Sequence, residues 1–118
     1  MNPFALGAFA AALAVILGAF GAHALSGIGA VRLAWWTTAT QYLFVVAFGL
    51  MMFGLHQRAR WTLASPTTAL LLGALLFSGS LYAMGLGGPR WLGAITPVGG
   101  VSMIVGFVWM GIAAIFTR

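Results

Sequence analysis

Four long apolar runs, separated by short breaks rich in Gly, Ser and Pro, dominate the chain; they cover roughly 4–25, 33–55, 66–86 and 97–116. Each is about 20 residues long, the length an α-helix needs to cross about 30 Å of hydrocarbon. The breaks carry helix-end chemistry. Ser26-Gly27 predicts a stop for the first helix, with Gly27 as its C-terminal cap. Ser65-Pro66 and Thr96-Pro97 each read as an N-cap followed by proline in the first turn, and residues 85–89 (Gly-Leu-Gly-Gly-Pro) end the third helix. Short loops make successive helices antiparallel neighbours. The predicted fold is therefore an all-α integral membrane protein: a four-helix antiparallel transmembrane bundle with short loops, forming one domain over residues 1–118. Residues 28–36 stay open between the start of the second span and a short helix lying in the interface.

Composition agrees with the pattern and narrows the chemistry. Of the 118 residues, 63% are hydrophobic and 4% charged, against about 25% charged in soluble domains. There is no Asp, Glu or Cys. Carboxylate acid/base pairs, carboxylate cation cages, acidic proton relays, disulfides and thiolate metal sites are thereby excluded. The expectation is a non-enzymatic protein without cofactor.

The net charge of +5 comes from Arg32, Arg58, Arg60, Arg90 and Arg118. They stand singly or as one close pair at the ends of apolar runs. That placement suits lipid headgroups and argues against a nucleic-acid partner. Four spans put Arg58, Arg60 and Arg118 on the side of the termini and Arg32 and Arg90 on the other, a slight bias towards cytoplasmic termini. Ala22-His23-Ala24 has the form of a signal-peptide cleavage site, but no basic residue precedes the apolar run, so a retained first span is expected. Trp35, Trp36, Trp61 and Trp91 fall near span ends, as an interfacial aromatic belt would, whereas Trp109 lies inside the fourth span and is expected to pack.

Small residues recur every four positions in the first span: Ala10, Ala14, Gly18 and Ala22. Such a ridge lets another helix backbone approach closely within a bilayer. It serves either the chain's own helices or a partner, and contact with the chain's own helices is the expectation. Gly99 and Gly100, early in the fourth span, either offer the same close approach or leave room for a ligand or lipid headgroup.

Polar residues within the spans gather towards one end. His23, Gln41, Tyr42, Ser78, Ser80, Tyr82, Thr96 and Ser102 all fall within roughly 12 Å of one interface at 1.5 Å per residue. They form either a polar pocket open to the non-cytoplasmic side, with Arg32 or Arg90 at its mouth, or a set of interhelical hydrogen bonds. His23 and His56 lie at opposite ends of antiparallel spans, so one chain cannot bring both to one metal, and no metal site is expected.

Four segments resemble signatures of the domain-of-unknown-function 423 family of small bacterial inner-membrane proteins, whose eukaryotic relatives are called transmembrane protein 256. They are residues 18–25 (GAFGAHAL), Gln41-Tyr42, residues 77–82 (FSGSLY) and residues 95–100 (ITPVGG), in order along the chain. The resemblance implies a four-helix inner-membrane protein and no activity. Family members commonly carry a histidine a few residues after the Gln-Tyr pair, where this chain has Val46. If that histidine pairs with the first-helix histidine in relatives, the pair is lost here. The functional expectation is a protein acting through contacts with membrane lipids and with other copies or membrane subunits. The alternative is a small transporter or a lipid- or quinone-binding protein that uses the polar pocket.

Overall fold

The structure, a computed structural model, describes residues 2–57 and 65–116. Four α-helices follow one another: α1 (Pro3–Ala24), α2 (Ala30–Gln57), α3 (Pro66–Gly85) and α4 (Thr96–Phe116), with a short 3₁₀ helix (Arg90–Ala94) ahead of α4. All four are long and apolar enough to span a bilayer. Arg58, Arg60, Trp61 and Arg118 lie outside the described residues.

The helix ends follow local chemistry. The Asn2 side chain accepts a hydrogen bond from the Ala5 amide at 2.8 Å, and Pro3 occupies the first turn of α1. Ser65 stands at the N-cap of α3, with Pro66 next. At the far end of α3, the Gly87 amide donates to Met84 O (3.0 Å) and the Gly88 amide to Ala83 O (2.8 Å). This is a Schellman turn, and Gly87 supplies its left-handed residue (φ +98°). Glycine is required there because a Cβ disfavours positive φ.

One boundary expectation changes, one open alternative is decided and one element is new. The left-handed residue between α1 and α2 is Gly29 (φ +99°), not Gly27; α1 stops at Ala24, with Leu25 at its C-cap. No separate interfacial helix forms over 28–36, because α2 is continuous from Ala30 and carries Trp35 and Trp36 in its first two turns. The stretch before α4 is wound into the 3₁₀ helix, which ends at Ala94.

The bundle has a central pair, α2 and α3, with α1 packed on α2 and α4 packed on α3. The shared core contains Val46 and Leu50 of α2, Leu70 of α3, Ala14 of α1 and Met103 of α4. Glycine brings each outer helix close. A methyl at Gly7 would land on Ala47 O, and one at Gly54 on the Phe4 amide nitrogen. In the other hairpin a methyl at Gly99 would land on the Phe77 nitrogen, and one at Gly106 would lie 2.8 Å from the Leu70 side chain. The buried small residues of α1 are Gly7, Ala14 and Gly21. Their seven-residue spacing keeps them on one seam, where Gly7 and Gly21 meet α2 at Ala47 and Trp36. The predicted four-residue ridge divides instead. Ala14 is fully buried, Ala10 is half-buried against the core, a methyl at Gly18 would touch the Thr40 methyl at 3.4 Å, and Ala22 is exposed.

Candidate functional site

The far halves of the helices hold a chain of side-chain hydrogen bonds centred on Trp36, Thr40 and Tyr82. Gly21 has no side chain, so the Trp36 indole lies directly on α1 and donates from Nε1 to Leu17 O at 2.7 Å. One turn along α2, Thr40 donates to Trp36 O (3.0 Å), and its hydroxyl meets the Tyr82 hydroxyl at 2.7 Å. The Tyr82 ring stands edge-on to Trp36, with centroids 4.5 Å apart. Three helices are thus tied by one polar chain in an otherwise apolar region.

The remaining hydroxyls do the same between α3 and its neighbours. Ser78 donates to Ala39 O of α2 (2.8 Å), Ser102 of α4 donates to Ala69 O of α3 (2.7 Å), and Ser80 shares a hydrogen bond with Thr96. Each buried hydroxyl is satisfied by another helix, as the cost of an unpaired polar group in hydrocarbon demands. Thr67, in the first turn of α3, is the exception: it is fully buried, and its hydroxyl has no partner among the described residues.

The eight predicted pocket residues therefore do not line one pocket. Ser78, Ser80, Tyr82, Thr96 and Ser102 form the interhelical bonds. Tyr42 turns outward and stacks edge-on against Phe77, with centroids 4.8 Å apart. His23 is exposed in the last turn of α1. Gln41 is exposed as well and makes no hydrogen bond among the described residues. It lies in a cleft of about 260 Å³ between α1 and α2, where Gly18, Ala22, Thr37 and Phe44 are among its neighbours. Gln41 also lies near the middle of its span, as the predicted limits of 33–55 imply. Because α2 starts at Ala30 and runs to Gln57, this residue sits about 4 Å from the helix midpoint.

Trp36 and Thr40 are the residues that sequence reasoning missed. Trp36 is 4% exposed and so belongs to the packed interior, not to an aromatic belt. The signal for it was Gly21, a gap on α1 at the depth where the indole enters. Trp109 shows the opposite error: it is 41% exposed and faces outward from α4. His23 and His56 end α1 and α2, on opposite sides of the bundle. Val46 is packed in the core with Ala14, and His23 lies about 13 Å further along α1. A side chain at position 46 is therefore not placed to pair with His23.

Removing Tyr82 Oη and Thr40 Oγ1 should reveal their coupling. Tyr82→Phe and Thr40→Val are each expected to lower the thermal stability of the detergent-solubilised protein. The double variant should lose less than the sum, by about 0.6 kcal/mol, the average for interhelical bonds in bilayers. Strict additivity in the double-mutant cycle would show that the hydroxyl pair contributes nothing.

These features define a four-span helical membrane protein whose polar residues chiefly join helix to helix. The profile of the family described as "protein of unknown function (DUF423)" matches residues 17–100. The chain belongs to that family. It is 43% identical over 114 residues to the UPF0382 membrane protein YwdK of Bacillus subtilis, covering 93% of each chain. It is 40% identical over 105 residues to the UPF0382 inner membrane protein YgdD of Escherichia coli K12, covering 86% of this chain and 79% of that one. No solved structure matches it.

Proposed function

We propose that this is a non-enzymatic inner-membrane protein that acts by lateral contact, as a self-associating bundle or an accessory subunit, with both termini in the cytoplasm. One observation carries the proposal: the exposed Gln41 amide lies near mid-depth without a hydrogen bond among the described residues, in a cleft flanked by Gly18 and Ala22. An amide in hydrocarbon without a partner costs several kcal/mol. Small residues beside it admit another helix closely enough for its polar groups or backbone to reach the amide. The other polar residues of the spans support the reading, because most already serve internal bonds and leave few groups for chemistry.

A second reading has its own observation. An apolar groove of about 430 Å³ runs between α2 and α4, with the Tyr42 ring on its wall beside Phe77, Gly100 and Phe107. A lipid tail or quinone ring fits that lining.

Native mass spectrometry of protein released from its own membranes in mild detergent separates the two. Lateral contact predicts a discrete homo-oligomer, or a stoichiometric second polypeptide. Gln41→Leu and Ala22→Phe should weaken that assembly about tenfold or more, given about 1–2 kcal/mol per interhelical polar contact, without lowering the monomer's stability. A monomer carrying one reproducible small-molecule mass supports the groove reading and removes the contact reading.

A further inference from the structure

A second cleft, of about 460 Å³, lies at the far end of the bundle, between the first turn of α2 and the turn after α3. Both described arginines, Arg32 and Arg90, line it, with Trp35, Gly87 and Gly88. The chain has no Asp or Glu, so no acidic side chain neutralises either guanidinium. Two like charges on one small cleft repel unless an anion sits between them.

The cleft is built. Arg32 is half-buried, and its Nε donates to Gly85 O at 2.9 Å, which fixes the guanidinium plane and leaves its terminal N–H groups available. Glycine at position 87 leaves room for it, since a Cβ there would come within 3.3 Å of Arg32 Nη2. Arg90 is exposed, so it can close on a ligand from the other wall. Ala30 and Val31 of the first turn of α2 line the same space, and this helix end adds a positive dipole end, since its ladder begins only with Leu33 N to Gly29 O. Trp91 is exposed beside Arg90, as at a membrane interface.

We propose that this cleft binds a phosphate ester, the headgroup phosphodiester of an anionic phospholipid, with Arg32 as the fixed donor and Arg90 as the closing one. Planar guanidinium donors match phosphate oxygens in paired fashion, and the volume is within the range of small-ligand sites, about 300–1,000 Å³. The site is independent of the Gln41 cleft and stands or falls separately.

The test places the protein in nanodiscs of phosphatidylcholine with or without phosphatidylglycerol and reads retained lipid by native mass spectrometry and stability by thermal unfolding. The expected result is one retained phosphatidylglycerol and a higher Tm in its presence. Arg90→Gln, which removes no side-chain hydrogen bond among the described residues, should lower retention about tenfold, the loss of roughly one charge-assisted hydrogen bond. Arg32→Lys keeps the charge but not the paired geometry and should lower it too. A parallel arm adds inorganic phosphate to phosphatidylcholine discs. Stabilisation there that Arg90→Gln abolishes, without phosphatidylglycerol retention, assigns the same site to soluble phosphate and overturns the lipid source. Equal retention by the parent and both variants, or no response to either anion, overturns the site.

Discussion

Gly99→Leu is expected to prevent the bundle from assembling. A methyl at Gly99 would lie on the Phe77 amide nitrogen, 2.8 Å from Phe77 Cα and 2.9 Å from Gly73 O. All three are backbone atoms of α3, so no rotamer change relieves the contact. Overpacking against yielding side chains costs about 1–3 kcal/mol. Here α3 and α4 must separate, which also removes the Ser102–Ala69 bond and the Met103 contacts, so the loss should exceed that range. Gly111 is the control: it is exposed on the same helix, and a methyl there meets nothing within 4 Å. Gly111→Ala should hold or raise stability, since alanine favours a helix by about 1 kcal/mol over glycine. Size-exclusion profiles and thermal unfolding in detergent check both. A monodisperse Gly99→Leu protein with parental Tm would show that the hairpin is looser than described.

Trp36→Ala is expected to cost about 3–5 kcal/mol, the range for removing a large buried aromatic. The indole fills the space left by Gly21, bonds Leu17 O, and packs against Phe20 and Tyr82. Its loss opens a cavity where three helices meet. Trp36→Phe isolates the hydrogen bond: the ring volume is largely kept, and about 1 kcal/mol should be lost with the N–H. Denaturation midpoints of the two variants against the parent give both numbers. Equal stability of Trp36→Ala and parent would place the tryptophan at a lipid-facing surface after all.

The first of these sites was half legible in the sequence and the second was not. Gly99 was marked by its place early in a span, but nothing in the chain says that Gly99 meets the α3 backbone while Gly100 borders the groove beside Tyr42. Trp36 was assigned to the interface because it lies beside Trp35 near a span end, a position shared by belt tryptophans. What buries it is the face it occupies, turned to Gly21 and Leu17 of α1 and to Tyr82 of α3. Gln41, near the middle of the span in both readings, turns outward instead. The polar cluster was legible as a set of residues on one half of the bundle. Its division into internal bonds (Ser78, Ser80, Tyr82, Thr96, Ser102) and an outward amide (Gln41) was not, because that depends on which face of each helix turns inward.

By itself the sequence determined four spans, their approximate limits, their alternating direction and the scarcity of ionisable groups. Hydrocarbon thickness sets span length, and a bilayer admits a lone segment only as a helix whose backbone is bonded internally, so apolar length suffices to read these features. The tertiary structure decided which faces pack: Gly7, Ala14 and Gly21 on α1, Gly99 and Gly106 on α4, and which hydroxyl reaches which carbonyl. The reason lies in the solvent. A helix in water shows its buried face by the contrast between apolar and polar sides, whereas a helix in lipid is apolar all round, and its partner is selected by shape and by a few hydrogen bonds whose ends meet only after folding.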